Sequence, residues 1–429
     1  MSIDLTNRLG PPRDESTVNT MARGLLGSAI LQIAAEIRVM EARGEKLCNL
    51  TVGDFKPREF PIPASLGEGI AQALKAGETN YPPSDGMPDL RKAVQAFYER
   101  KLGLKYPIES VVIAGGARPI IYGTYRAVMD PGDAVIYPRP SWQNNHYVHL
   151  MNARAIALPT SPANGFMPTA DEIAPHIHGA RMLALCSPQN PTGTMITADQ
   201  LRAISQLVVD ENKSRIARGA NPLILMYDHI YWQLALKGVK HVTPIELVPE
   251  IAPWVVFVDG VSKAYAATGI RVGWGVGPPS IIARMRDVLG HVGAWAPRAE
   301  QVATAKWLND DAAGDAYLNH MRGEVEQRLQ ALYDGLSAMR AGGLPVQAIS
   351  PQGAIYLTVQ FDLIGRAGIK TNEEIRKLLL EKAGFAVVPF QAFDMPGETG
   401  WFRLSVGAVS MGEIREALPR VEAALKAVA

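Results

Sequence analysis

An α/β architecture is predicted for this chain: a large, mostly parallel sheet with helices on both faces, followed by a smaller C-terminal α/β domain. Three observations carry that expectation. Short apolar runs alternate with stretches of helical spacing. Several of these runs are apolar on both faces, as strands buried between two helix layers must be. After Gly342-Gly343 the pattern changes and a second set of strands begins.

In chain order, the strands expected in the large sheet are residues 111–114, 134–137, 155–158, 182–186, 223–227, 255–258 and 272–276. Helix starts are marked by a hydroxyl residue followed three positions later by Glu or Gln, a pair that can satisfy two orphan N–H groups reciprocally. The signature occurs at Ser65…Glu68, Thr169…Glu172, Thr197…Gln200, Thr371…Glu374 and Ser410…Glu413, and Gly77 is expected to stop the first helix. One long helical stretch is expected over 297–341. Strands are then expected at 346–349, 354–361, 386–389 and 402–406. The implied division is an arm and helix over 1–48, packing on the small domain or a partner subunit; a large domain over 49–310; and a small domain over 311–429 that includes the linking helix.

The 429 residues, 47% hydrophobic and 20% charged, describe an ordinary globular chain rather than a disordered one. A formal net charge of +1 argues against nucleic acid or an anionic membrane as the main partner. The apolar runs are strand-sized and far short of a membrane span. Residues 1–10 lack the apolar core of a signal peptide, so the expected compartment is the cytoplasm. Cys48 and Cys186 sit in apolar surroundings without metal-ligand spacing and are expected to be free, buried thiols; no metal is expected.

The phosphate-loop, zinc-protease, C-x-x-C and nucleophile-elbow motifs are absent from the sequence. Gly273-Trp274-Gly275-Val276-Gly277 runs into Pro278-Pro279 instead of opening a helix, which argues against dinucleotide binding. What remains lies at strand ends, where open α/β sheets bind ligands. The run 111–114 leads to Gly115-Gly116-Ala117-Arg118, and 134–137 leads to Trp142. The run 182–186 leads to Ser187-Pro188-Gln189-Asn190-Pro191-Thr192-Gly193-Thr194. The run 223–227 leads to Asp228 and Tyr231, and 255–258 leads to Ser262-Lys263. An amine, a carboxylate, an amide, a phenol and an indole converging on one crevice meet the needs of pyridoxal phosphate. The amine forms a Schiff base, and the carboxylate keeps the ring nitrogen protonated. The amide and phenol reach the ring hydroxyl, the indole stacks on the ring, and glycine-rich backbone at a helix start takes the phosphate.

These residues give the chain its likeness to a family. It resembles the class I/II aminotransferases of the fold-type I PLP-dependent group, and within them the prokaryotic aspartate aminotransferases. The likeness extends from Leu50-Thr51-Val52-Gly53-Asp54-Phe55 to Phe402-Arg403-Leu404-Ser405. Its most specific parts are Ser187–Thr194, and Ser262-Lys263 followed by Gly269-Ile270-Arg271-Val272-Gly273-Trp274. The resemblance implies that Lys263 is the Schiff-base lysine and proton shuttle, with Asp228 and Tyr231 completing the catalytic set. Asp228 pairs with the ring nitrogen, Asn190 and Tyr231 reach the ring hydroxyl, and Trp142 stacks on the ring. Gly116, Ala117, Arg118, Ser262 and Arg271 surround the phosphate, as does Tyr81 from a partner subunit of a homodimer. Arg403 takes the substrate α-carboxylate, with Gly53, Trp142, Asn190 and Arg118 also lining the substrate.

The implied reaction is ping-pong exchange of an amino group between an L-amino acid and a 2-oxo acid. Arg118 and the segment 140–145 favour aspartate or glutamate with 2-oxoglutarate or oxaloacetate; His291 or Arg298 could also serve side-chain recognition. Transamination of aromatic or aliphatic amino acids, and a PLP-dependent lyase or decarboxylase, remain open on the same scaffold. A PLP-sensing DNA-binding regulator would need a larger N-terminal module. Two departures stand out: His229 follows Asp228 where the family more often has glutamate, and Ala117-Arg118-Pro119 is an unusual phosphate loop.

Overall fold

A computed structural model describes residues 3, 5, 17–25, 27 and 29–428. Of the arm expected over 1–48, residues 1–2, 4, 6–16, 26 and 28 lie outside the described residues. Among the described residues the principal sheet has seven strands. Their spatial order is Val111–Ala114, Gly273–Val276, Val255–Gly260, Ile224–Asp228, Met182–Cys186, Ala134–Arg139 and Arg154–Pro159. Gly273–Val276 runs against both its neighbours, and the other strands run parallel to one another. The carboxyl ends of those parallel strands therefore meet at one edge.

The doubly apolar runs are explained by two cores. Leu225, Tyr227 and Phe257 pack on one face, against helices Pro88–Leu102 and Ala198–Ala217. Met226, Val256 and Val258 pack on the other, against helices Ala117–Val128 and Pro279–His291. Successive residues of a strand point to opposite faces, so both registers must be apolar. The glycine-rich run 273–277 is used for close backbone packing: a Cβ at Gly273 would lie 2.4 Å from the carbonyl carbon of Gly116.

The second sheet has the order Val388–Pro389, Trp401–Ser405, Tyr356–Phe361, Val346–Ala348, antiparallel throughout. The run expected as one strand over 386–389 divides between two sheets. Phe385–Ala386 pairs in parallel with Cys48–Asn49, whereas Val388–Pro389 pairs with Trp401–Ser405. Helix Ala29–Ala42 lies on this part of the molecule: Ile37 packs on Leu380 and Ala386, and Glu36 pairs with Arg376 at 2.9 Å.

Four of the five expected capping boxes form, at Thr169, Thr197, Thr371 and Ser410. Ser65 does not cap its helix. Ala64–Lys75 begins one residue before Ser65, with Pro63 at the cap position, so Ser65 lies within the first turn. The stretch expected as one helix over 297–341 is two, Arg298–Leu308 and Asp311–Ala341. They separate because the Asp310 carboxylate accepts the Ala313 N–H at 3.0 Å and starts a new helix. No described helix is long and apolar enough to cross a membrane.

Candidate active site

The parallel strand ends form a crevice with Lys263 at its centre. Lys263 lies on the single turn Val261–Ala264 that follows strand Val255–Gly260. Its Nζ donates to the Gly53 carbonyl at 2.6 Å and lies 5.7 Å from the ring of Tyr231 and 5.9 Å from that of Phe55. Burial pushes its amine down to about 8; Asp54 opposes the shift, while the guanidinium groups of Arg403, Arg118 and Arg271 add to it. An amine in that range is accessible as a neutral base near physiological pH.

Asp228 ends the adjacent strand and, like Met226, faces the side of the sheet that carries helix Ala117–Val128. It accepts the Ile230 N–H at 3.1 Å. Burial raises its carboxyl to about 6, against the Ile230 N–H and the charge of Lys263. A positive partner beside this carboxyl would restore its charge. Trp142, Asn190 and Cys186 line the same small cavity as Asp228. Both cysteines are free; Cys48 is fully buried, and Cys186, half-buried at this strand end, has its thiol pushed up by burial.

Arg403 is the second focus. It lies within strand Trp401–Ser405, is 0% exposed, and donates to Asn190 Oδ1 at 3.2 Å and to the Thr51 carbonyl at 2.6 Å. The rings of Tyr356 and Phe393 each lie 4.8 Å from its guanidinium carbon. Its Nε has no hydrogen-bond partner among the described residues. A buried cation with an unused donor is costly unless an anion joins it. Tyr231, from the large sheet's turn, shares a 2.6 Å hydrogen bond with Tyr356 of the small sheet.

The glycine-rich loop forms a third corner. Gly116 has φ +100° and precedes helix Ala117–Val128. A Cβ there would lie 2.3 Å from Arg271 Nη2, so only glycine admits that guanidinium. Arg271 donates to the Thr268 carbonyl at 2.7 Å and the Gly115 carbonyl at 2.8 Å. A guanidinium beside an open helix N-terminus suits a phosphate. Ser262 is buried on the neighbouring turn, and Ala117 is half-buried as the first helical residue. Arg118 is exposed, with its guanidinium carbon 5.3 Å from the centre of the Trp142 ring.

Other expected residues lie elsewhere. Tyr81 is 81% exposed and packs edge-on against Trp295 in a groove of about 710 Å³. Arg298 is ion-paired with Glu78 in that groove, and His291 is exposed at the end of helix Pro279–His291. His229 points to the far face of the sheet, stacked on Phe257, so the departure after Asp228 does not enter the crevice. Tyr356, Phe393 and Asp54 join the site without having been singled out in the sequence. Asp54 accepts from the Thr268 hydroxyl at 2.5 Å. It was legible in Gly53-Asp54-Phe55; the two aromatics carry no local signal that separates them from core residues.

An amine, a carboxyl, an indole and a glycine-rich helix N-terminus beside a guanidinium lie together, and their chemistry fits a pyridoxal-phosphate-dependent enzyme. The family model for aminotransferase class I and II matches residues 45–421. The aspartate aminotransferase of Rhizobium meliloti (strain 1021) is 31% identical over 406 residues, covering 92% of this chain and 93% of its own. An aspartate/prephenate aminotransferase of Thermus thermophilus is 30% identical over 398 residues, covering 92% and 94%. The crystal structure of the aspartate aminotransferase from Rhizobium meliloti superposes with a TM-score of 0.87 at 28% identity, covering 96% of this chain and 99% of that one. The chain belongs to the class I and II aminotransferases, and it is a transaminase that uses pyridoxal phosphate.

Proposed function

We propose that this transaminase acts by a ping-pong route on dicarboxylic substrates, aspartate or glutamate with 2-oxoglutarate or oxaloacetate. One observation carries the reading: the guanidinium groups of Arg403, Arg118 and Arg271 all bear on Lys263, against the two acids Asp54 and Asp228. That excess of positive charge suits a phosphate and two carboxylates together. The names of the relatives from Rhizobium meliloti and Thermus thermophilus support the same substrate class.

In this reading Arg403 holds the substrate α-carboxylate through its unused donor edge, and the Gly53 backbone lies beside the same group. Asn190 fixes the guanidinium and, with Tyr231, reaches the cofactor's ring hydroxyl. Trp142 would cover the ring, Asp228 would keep its nitrogen protonated, and Gly116, Ala117, Ser262 and Arg271 would hold the phosphate. Bound pyridoxal phosphate supplies an electron sink for the negative charge that develops at the substrate Cα. The neutral amine of Lys263 takes the Cα proton, and its depressed pKa keeps that form available. Arg118, at the crevice mouth, meets the distal carboxylate. We further assign 49–310 and 311–429 as the large and small domains of a homodimer's protomer, with Tyr81 extending toward the partner's phosphate site; its exposure supports this.

A half-reaction screen tests the substrate class. Aspartate and glutamate are expected to convert the cofactor faster than alanine, leucine and phenylalanine, and Arg118→Ala is expected to narrow that preference about ten-fold. Equal rates for all five amino acids would exclude the dicarboxylate assignment.

A further inference from the structure

Directly behind the crevice, on the opposite face of the sheet, lies a polar cluster that the reaction does not use. Asp228 faces the crevice, and its neighbour His229 points the other way. On the adjacent strand Asp259 also points away. Both His229 and Asp259 are 0% exposed. A carboxyl so placed needs donors to offset its lost hydration.

Three chain segments supply them. The Gly260 N–H donates to Asp259 Oδ1 at 2.7 Å. Trp232 Nε1 donates to Oδ2 at 3.0 Å, and the Tyr98 hydroxyl, from helix Pro88–Leu102, lies 3.4 Å from the same oxygen. Tyr98 also meets His229 Nε2 at 2.8 Å. Burial pushes the His229 imidazole well down, and His241 beside it adds to the shift. Burial raises the Asp259 carboxyl to about 7, with the charge of Asp228 adding to the shift, and a neutral His229 leaves only these three donors to favour its ionised form.

The positions of the donors give Asp259 leverage over the site. Trp232 directly follows Tyr231, and its own N–H donates to the His229 carbonyl at 2.8 Å, closing the turn that aims Tyr231. Gly260 opens the turn that presents Lys263. One carboxyl thus joins the two turns that carry the lysine and the phenol.

We propose that Asp259 is a positioning residue for this active site, clamping the Tyr231 turn to the Lys263 turn from the far face of the sheet. The proposal rests on the reading of Lys263 and Tyr231 given above. Asp259→Asn keeps the volume but puts an NH2 donor in place of one oxygen, facing the N–H of Gly260 or Trp232. Trp232→Phe removes the Nε1–H donor and keeps an aromatic ring beside His229.

The test uses wild-type, Asp259→Asn and Trp232→Phe holoenzymes. Three quantities are followed: the pH midpoint of the absorbance band of the Lys263-linked cofactor, the rate and KM of the amino-acid half-reaction, and the melting temperature without cofactor. A displaced pH midpoint is expected in both variants. Asp259→Asn is expected to slow the half-reaction about 10-fold to 100-fold with KM changed by less than about 3-fold, and Trp232→Phe to act in the same direction more weakly. Wild-type midpoints and rates in the folded variants, with only the melting temperature lowered, would overturn the proposal and leave Asp259 a purely structural residue. Should Asp259→Asn fail to fold, the midpoint and rate of Trp232→Phe decide the matter in the same way. If the wild type itself shows no Lys263-linked band, it is the underlying assignment of Lys263 that falls.

Discussion

The large sheet brings Asp228, Asn190, Ser262 and Lys263 to the crevice from the ends of neighbouring parallel strands, whereas the small sheet brings Arg403 from within a strand. Asp228 is the last residue of its strand and Ser262 and Lys263 lie on the turn after theirs; Asp228 and Lys263 are half-buried, Asn190 and Ser262 buried. Arg403 is wholly buried, held by Asn190 and Thr51 and flanked by two aromatic rings. Strand ends can therefore exchange chemistry by local changes of sequence, while the buried guanidinium depends on the two sheets staying together. The Tyr231–Tyr356 hydrogen bond crosses the same junction.

The largest effect that sharpens this contrast is expected at Arg403. Arg403→Ala removes a buried, hydrogen-bonded cation and should weaken amino-acid binding by about 2–5 kcal/mol, read as a rise in KM with the Lys263-linked band retained. Loss of the band with unchanged KM would place Arg403 at the cofactor instead. A smaller effect, of about 10-fold to 100-fold in cofactor affinity, is expected for Gly116→Ala, where a Cβ meets Arg271 on a backbone with φ +100°. Titration with the cofactor checks it, and wild-type affinity would remove the phosphate cradle from this loop.

The smallest effect is thermodynamic. Asp228 holds its proton more tightly in the folded chain, up to about 6 against an ordinary 3.8. That preference favours folding at pH below 3.8 and fades as pH rises through about 6. Without cofactor, Asp228→Asn should flatten the fall in stability across this window, by roughly 1–3 kcal/mol. Melting curves at several pH values give the slope directly, and identical slopes in both proteins would contradict the burial argument.

The same contrast explains what could be read from the sequence. Asp228, Asn190 and Lys263 stand out because polar residues directly after doubly apolar strands have few structural reasons to be there. Tyr356 and Phe393 did not stand out, since an aromatic in an alternating strand or a short helical turn looks like any core residue until its neighbours are known. Asp259 carries no separate sequence signal for a related reason. It lies inside strand Val255–Gly260, two residues longer than the apolar run, and its meaning depends on Trp232 and Tyr98 from distant segments. Ser65 carries the capping signature, yet the helix starts at Ala64, one residue before it.

The central claim is that Lys263 carries both the cofactor link and the proton transfer of a transaminase. The most direct measurement is the absorbance of the holoenzyme given aspartate alone, compared between wild type and Lys263→Ala. The wild type should convert stoichiometrically to the amine form and release one equivalent of oxaloacetate. The variant should lack the Lys263-linked band and lose the conversion by at least about 100-fold. Continued turnover of aspartate without any 2-oxo acid, or conversion by Lys263→Ala at the wild-type rate, would contradict it.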